Sequence, residues 1–384
     1  MNRDARLVGL ALLLWGFGEG LFFHIQSLYM EQLGATPVQI GGLLSVANMA
    51  RAATYLPAGM IADRVPRKWL MAGGWVTGLV GVLFMAVAGS WQALIPGLLI
   101  YALSAYCIPV INTYLAHAVE GRKLARTYTT VFAGYAAGGI ISPAVGGWLA
   151  EATTMRLVYF ASALLFAIST AAVVRVSPQP APSPVDRKGR SRSVLNRRFI
   201  RFGVLTGLVF TAMYVSFPLA PNYLKDVGAW RVNRIGALGS FQALGTTLLN
   251  PFLGRLGDRE EDANAPDSRV MRWGWGLTVG PVLVWVSIVI LLLANSFPML
   301  GAAFLLSGAY QGCRSLTQAK ATRLGDEADR GLLLGATETL IGGAQVLAPY
   351  VAGWLYASDP AYPFLCALLF IPAVLLMAIF GSRA

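Results

Sequence analysis

"LPAGMIADRVPRKWL", residues 56–70, breaks a strongly apolar chain with Asp63, Arg64, Arg67 and Lys68, and the apolar sequence then resumes. The 384 residues are 56% hydrophobic and 12% charged, about half the charge of an ordinary soluble domain. A charged side chain is costly in a hydrocarbon core, so charge gathered into a short break is what a loop between two membrane helices requires. Apolar runs of twenty or more residues recur from Leu7 onward, each able to cross a layer of about 30 Å. The pattern is that of an all-α polytopic membrane protein. The short alternating segments of a transmembrane β-barrel do not occur.

Working outward from that break, twelve hydrophobic segments can be drawn, at roughly 7–30, 37–62, 69–88, 91–118, 124–150, 155–176, 199–224, 232–256, 270–294, 297–322, 331–357 and 360–381. The first run continues too far for the apolar region of a signal peptide and reads as a membrane helix. Cys107, Cys313 and Cys366 lie inside apolar runs without paired spacing, so they read as core residues rather than a disulfide or metal framework.

The connections alternate in charge. Of the 30 Lys and Arg, 24 fall at the termini or after segments two, four, six, eight and ten. The other side receives only Arg156, Lys225, Arg231 and Arg234, while Arg51 and Arg314 fall within segments. The positive-inside rule then places both termini in the cytoplasm. The net charge of +12 is a topology signal and not a nucleic-acid footprint. Residues 177–198, "SPQPAPSPVDRKGRSRSVLNRR", read as a flexible cytoplasmic linker between an N-terminal six-helix bundle (1–176) and a C-terminal one (199–384).

The halves repeat. Gly59-x-x-x-Asp63-Arg64 recurs as Gly254-x-x-x-Asp258-Arg259, at an offset of 195. Ser142-Pro143-x-x-Gly146-Gly147-Trp148-Leu149 recurs as Ala348-Pro349-x-x-Ala352-Gly353-Trp354-Leu355, at an offset of 206. Leu103-Ser104-Ala105 and Leu306-Ser307-Gly308 form a third pair. Two six-helix repeats suit a carrier that rocks about a site near the bilayer midplane.

With these motifs the chain resembles the major facilitator superfamily of transporters over essentially its whole length. Gly59, Asp63, Arg64, Pro66, Arg67 and Lys68 match the family's G-x-x-x-D-R-x-G-R-K loop, with Pro66 in place of a glycine. "GGIISPAVGGWLA" (138–150) is similar to the fifth-helix motif of drug/proton antiporters, with Ser142 in place of its second glycine. The resemblance implies that the loop motif latches the two bundles in the outward-facing state and that the protein works as a monomer. The antiporters' fourth-helix arginine has no counterpart in segment four.

Ionisable and polar residues within spans mark the substrate and proton pathway. Glu19 lies near mid-span, with Trp15, Phe22 or Phe23 and Gln26 on or near its face, and a carboxylate there can carry a proton. His24 falls on another side of the helix and titrates in a range suited to coupling. Asn48 and Arg51 share a face of segment two, and Arg51 can hold an anionic group or neutralise Glu19. In the second half, Arg314 and Glu338 suit a pair between segments ten and eleven, with Gln345 two turns further on. Tyr214, Pro218, Pro221 and Asn222 mark a kinked or broken segment seven.

No phosphate-binding Gly-x-x-x-x-Gly-Lys-Ser/Thr loop, H-E-x-x-H or G-x-S-x-G occurs, which argues against ATP hydrolysis and common hydrolytic enzymes. No cofactor is implied. The expectation is a secondary transporter of the plasma membrane (the inner membrane in a bacterium), with a small-molecule substrate and protons as coupling ion. Within that class, export of amphipathic or drug-like molecules follows from the Pro143 motif. Uptake or exchange of a sugar, organic acid or other metabolite is the alternative, and Arg51 with Arg314 would suit an anionic one.

Overall fold

The computed structural model of the chain describes residues 3–62, 65–107, 110–111, 114–115, 124–179, 197–263, 273–321 and 330–381. Among these every regular element is a helix. In chain order they are α1 (Arg3–Phe23), α2 (Gln26–Gln32), α3 (Pro37–Ala62), α4 (Arg67–Val87), α5 (Trp91–Leu103), α6 (Leu124–Ala152), α7 (Met155–Val174) and α8 (Arg197–Tyr214). Then follow α9 (Ala220–Asp226), α10 (Val232–Ala263), α11 (Trp275–Leu293), α12 (Phe297–Ser307), α13 (Ala309–Ala321), α14 (Arg330–Ser358) and α15 (Tyr362–Gly381). Six spans within α1, α4, α7, α11, α14 and α15 are long and apolar enough to cross a membrane. Side-chain oxygens start two of these helices or their neighbours. Ser90 accepts from the Ala93 N–H before α5, and Thr154 from the Leu157 N–H before α7.

Within the described residues, each of the twelve apolar segments of the sequence coincides with one helix or with a helix and the shorter piece that follows its break. The breaks fall in segments one, four, seven and ten. Segment one turns at His24–Ile25 between α1 and α2, and segment four passes from α5 into a 3₁₀ turn at Ser104–Tyr106. Segment seven opens between α8 and α9, and segment ten at Gly308 between α12 and α13. In three of them a serine hydroxyl bonds back to the carbonyl three residues earlier. Ser104 Oγ donates to Tyr101 O at 2.6 Å, Ser216 Oγ to Met213 O at 3.0 Å, and Ser307 Oγ to Phe304 O at 2.6 Å. Such bonds compete with the helix ladder and bend it. The repeated Leu-Ser-small triplet is therefore the breaking point of both segment four and segment ten. Pro218, lacking an N–H, adds to the break in segment seven.

Cα packing divides the chain into two compact units. One contains Met1–Thr36, Val46–Asp186 and Leu224–Ser240; the other contains Pro37–Ser45, Arg187–Tyr223 and Phe241–Ala384. Each unit thus takes in a short piece of the opposite half of the sequence. In the first unit, α1 packs on α6 and α7, and α4 on α5 and α7. Trp75 is buried there, its indole N–H donating to Ser169 Oγ at 2.7 Å, while the Ser169 hydroxyl donates to Ala11 O at 2.7 Å. Trp15 stacks on Phe166 with centroids 3.9 Å apart. In the second unit α14 and α15 pack on α8, and α11 on α12, α13 and α15.

Close helix approach explains the glycines of the α1–α6 crossing. A Cβ on Gly138 would sit 2.7 Å from Leu13 O and 2.8 Å from Phe17 N, and one on Gly146 would meet the backbone of Leu21. The backbones of α1 and α6 therefore touch along a stripe of small residues, as membrane helices do. We expect Gly146→Ala to lower thermal stability by about 1–3 kcal/mol, the usual cost of overpacking a tight contact. Gly139→Ala is the internal control, since no described atom lies within 4 Å of its Cβ position. Thermal unfolding of the two variants should diverge; equal behaviour would remove the close α1–α6 contact.

The same glycines reveal the repeat in packing. In the first unit a Cβ on Gly147 would lie 2.8 Å from Gly236 Cα, and in the second a Cβ on Gly41 would lie 3.2 Å from Gly353 Cα. Gly147 and Gly353 are related by the offset of 206, and Gly41 and Gly236 by the offset of 195. The surrounding "IGGLLS" (40–45) and "IGALGS" (235–240) form a further repeat that the sequence reading passed over.

Candidate functional site

Two polar clusters lie inside the helices, one in each unit. In the first, α1 carries Glu19 and α6 carries Tyr135, whose hydroxyl donates to Glu19 Oε2 at 2.6 Å. Tyr101, near the end of α5, lies within electrostatic reach of Glu19. Arg51 of α3 is close enough to bear electrostatically on both tyrosines. The cluster thus joins a carboxylate, two phenols and a guanidinium from four helices. Glu19 can be reached this closely by α6 because Gly16, Gly20, Gly138 and Gly146 keep side chains out of the α1–α6 crossing.

In the second unit Arg314 of α13 and Glu338 of α14 form a two-pronged pair. Arg314 Nε donates to Glu338 Oε1 at 3.4 Å and Nη2 to Oε2 at 2.5 Å. Gln318, one turn beyond Arg314, donates its amide to Glu338 Oε1. Both charged side chains are about a quarter exposed, at 27% and 25%. Beside them Tyr310 accepts from Gln345 Nε2 at 3.3 Å. Its ring is 5.3 Å from Phe210, 5.7 Å from Tyr214 and 5.5 Å from Phe217. Tyr214 and Phe217 flank the break after α8, so this break positions an aromatic wall over Tyr310.

The sequence singled out Glu19 and Arg51 in one cluster, and Arg314, Glu338, Gln345 and Tyr214 in the other. It missed Tyr101, Tyr135, Tyr310, Phe210 and Phe217. The signal for Tyr135 was a lone phenol between glycines in "FAGYAAGG" (132–139), and that for Tyr310 was its place one turn before Arg314. Asn48 lies one turn before Arg51 on α3 and is half-buried. Gln26 is buried with its amide against Met85 Sδ at 3.9 Å, in the packing between α2 and α4. His24 sits at the turn between α1 and α2, where its ring lies against Gly239 of α10. Trp15, expected beside Glu19, has its ring in the stack with Phe166 and Trp75.

The loop motif is described in part. Asp63 and Arg64 lie outside the described residues, and Gly59, Asp258 and Arg259 are placed on their helices by backbone alone. Gly254 lies on α10, where its Cβ position meets no described atom within 4 Å. Arg67 is 4% exposed and donates to Gln179 Oε1 at 3.3 Å. Gln179 in turn donates to Tyr114 O at 3.1 Å, and the Tyr114 hydroxyl contacts Asp4 Oδ2 at 3.1 Å and Ser177 O at 2.9 Å. This network ties the start of the 177–198 stretch to the N-terminal ends of α1 and α4. Lys68 lies over the Trp69 ring, 5.4 Å from its centroid. Pro143 and Pro349 lie inside the continuous helices α6 and α14. In the repeat of those two motifs, Gly147 and Gly353 provide the close contacts described above.

At the ends of α2 and α9, Glu31 accepts from Lys225, which also lies 3.1 Å from Asp226. Burial pulls the Lys225 pKa down, but the hydrogen bonds it donates to Glu31 and Asp226 outweigh burial and leave the pKa raised. A raised lysine pKa stabilises the fold fully below the ordinary lysine value, and the contribution is lost only as pH rises through the raised one. The pair is therefore constant across neutral pH.

Apolar helices with interior charged clusters, two repeated halves and helix breaks at every third segment define a polytopic α-helical carrier. The Major Facilitator Superfamily model matches residues 8–228 and 202–383, and the chain belongs to that family of membrane transporters rather than to an enzyme family. It is integral to the plasma membrane. Over 274 residues it is 27% identical to Multidrug resistance protein MdtG of Klebsiella pneumoniae (strain 342), covering 67% of this chain and 66% of that protein. MdtG of Escherichia coli (strain SMS-3-5 / SECEC) is 28% identical over 274 residues, with 67% of each chain covered. In fold the chain is similar to the nucleoside transporter NupG, with a TM-score of 0.78, 15% identity and coverage of 100% and 98%. It is also similar to a bacterial homolog of the human lysosomal transporter Spinster, with a TM-score of 0.75, 14% identity and coverage of 99% and 96%.

Proposed function

We propose that this chain is a secondary active transporter working by alternating access, and that it exports small amphipathic or drug-like molecules in exchange for protons. The observation that carries this reading is Glu19, an acid in a membrane-spanning helix, held by the Tyr135 hydroxyl and facing Tyr101 and Arg51. A single carboxylate can hold a proton or a cationic substrate but not both, so the two compete. Competition at one acid is enough to couple their movements in opposite directions. The multidrug-resistance proteins to which the chain is similar support export. The two-pronged engagement of Arg314 by Glu338 weighs against the alternative of an anionic metabolite, because the fork of the half-buried guanidinium already holds both oxygens of a carboxylate. The orientation read from the Lys and Arg placement, with both termini cytoplasmic, two six-helix bundles and a monomeric carrier, completes the proposal.

The test is flux in proteoliposomes with an imposed pH gradient. Lipophilic cationic dyes should accumulate against their gradient on the acidic side, and a proton ionophore should abolish the accumulation. A companion stability screen should show cationic amphiphiles stabilising the protein by about 2.7 kcal/mol at a hundred times their dissociation constant. Stabilisation by carboxylates or sugars alone, with dye flux indifferent to the gradient, would turn the assignment to metabolite uptake.

A further inference from the structure

Basic residues are scarce on the side opposite the charged loops, yet Lys225, Arg231 and Arg234 stand within ten residues of one another there. Lys225 is engaged by Glu31 and Asp226. The other two help to line a cavity of about 520 Å³ formed by one stretch of chain, from Gly228 through Trp230 to Arg234. Arg234 lies over the Trp230 ring, its guanidinium carbon 5.4 Å from the centroid. The Arg231 side chain is 80% exposed and has its Nη1 3.5 Å from Glu151 Oε1. That contact is an ion pair and hydrogen bond to Oε1, while Glu151 Oε2 accepts from the Asn233 N–H at 2.9 Å, closing the start of α10. Ala229 has φ of 51°, in the left-handed region that favours glycine.

An exposed arginine just before α10, and a second one in its first turn laid on a tryptophan, match the chemistry of a phospholipid headgroup. Tryptophan prefers the headgroup level of a bilayer, and arginine binds phosphate through a planar fork of N–H donors. We propose that Gly228–Arg234 binds the phosphate of an outer-leaflet phospholipid, with Arg231 and Arg234 donating to its oxygens and Trp230 lying at the headgroup plane. The inference rests on the proposed orientation for its choice of leaflet, and on no assumption about the transported substrate.

The experiment is native mass spectrometry of the detergent-purified full chain with short-chain phosphatidylglycerol. The wild-type protein should retain the lipid, and Arg231→Gln/Arg234→Gln should weaken retention about 30-fold. Trp230→Leu, which keeps both charges, should weaken it about threefold and serves if the double variant does not fold. Retention unchanged in either variant overturns the site. Displacement of the lipid by an equal concentration of inorganic phosphate overturns the lipid as ligand, whereas indifference to phosphate supports it. A separate assay places the leaflet: Arg231→Cys should react with an impermeant maleimide in whole cells, and reaction only in inverted vesicles overturns the outer-leaflet placement while leaving the lipid measurement standing.

Discussion

Glu19→Gln is expected to reduce gradient-driven transport to the level of protein-free vesicles while leaving the protein folded. The amide keeps the shape of the carboxyl and can still accept the Tyr135 hydrogen bond, so thermal stability should move by no more than about 1 kcal/mol. What is lost is the exchangeable proton and the negative charge, the two properties that coupling needs. Tyr135→Phe makes a graded companion. It removes one hydrogen bond to a charged group, worth about 1.5 kcal/mol, and should slow transport about tenfold without abolishing it. Transport assays at matched protein levels separate the cases. Full activity in Glu19→Gln would remove this acid from the proton path and direct attention to Glu338.

The second large effect concerns the Arg314–Glu338 pair. Removing one member of a fully buried ion pair costs about 3–5 kcal/mol, because the other charge is stranded. Here both side chains keep about a quarter of their exposure, and Gln318 shares the carboxylate, so Glu338→Gln should destabilise by about 2 kcal/mol. Arg314→Gln/Glu338→Gln should recover part of that loss, because no unpaired charge remains. A double-mutant cycle read by thermal unfolding gives the coupling directly. If the two single changes add without coupling, the pair contributes nothing to holding α13 against α14.

These expectations rest on residues that the sequence exposed unevenly. An acid or arginine in an apolar run is conspicuous, and its spacing along a helix gives its face; Arg314 and Glu338 could be matched on that basis alone. The serines of the Leu-Ser-small repeat were visible as a pair, although their back-bonding, which breaks segments four and ten, needed coordinates. Tyr135 was not legible as a partner of Glu19, because a tyrosine in a membrane helix is ordinary and only the α1–α6 register brings the two together. Gln26 failed in the opposite direction: its periodicity put it near Glu19, but the break at His24–Ile25 rotates α2 and turns the amide to Met85. The burial of Arg67 and its contact with Gln179 were hidden for a similar reason, since a basic loop motif reads as solvated charge.

The exchange of short pieces between the two units bears on how the protein is made. Leu224–Ser240 belongs to the first unit, yet it is translated after the whole 177–198 stretch and the seventh segment. At about 5–20 residues per second, the ribosome delivers it roughly 3–10 s after Asp186. During that interval the Gly147 surface of α6 is without its partner Gly236. The packing of the first unit is therefore completed only by chain from the second half of the sequence.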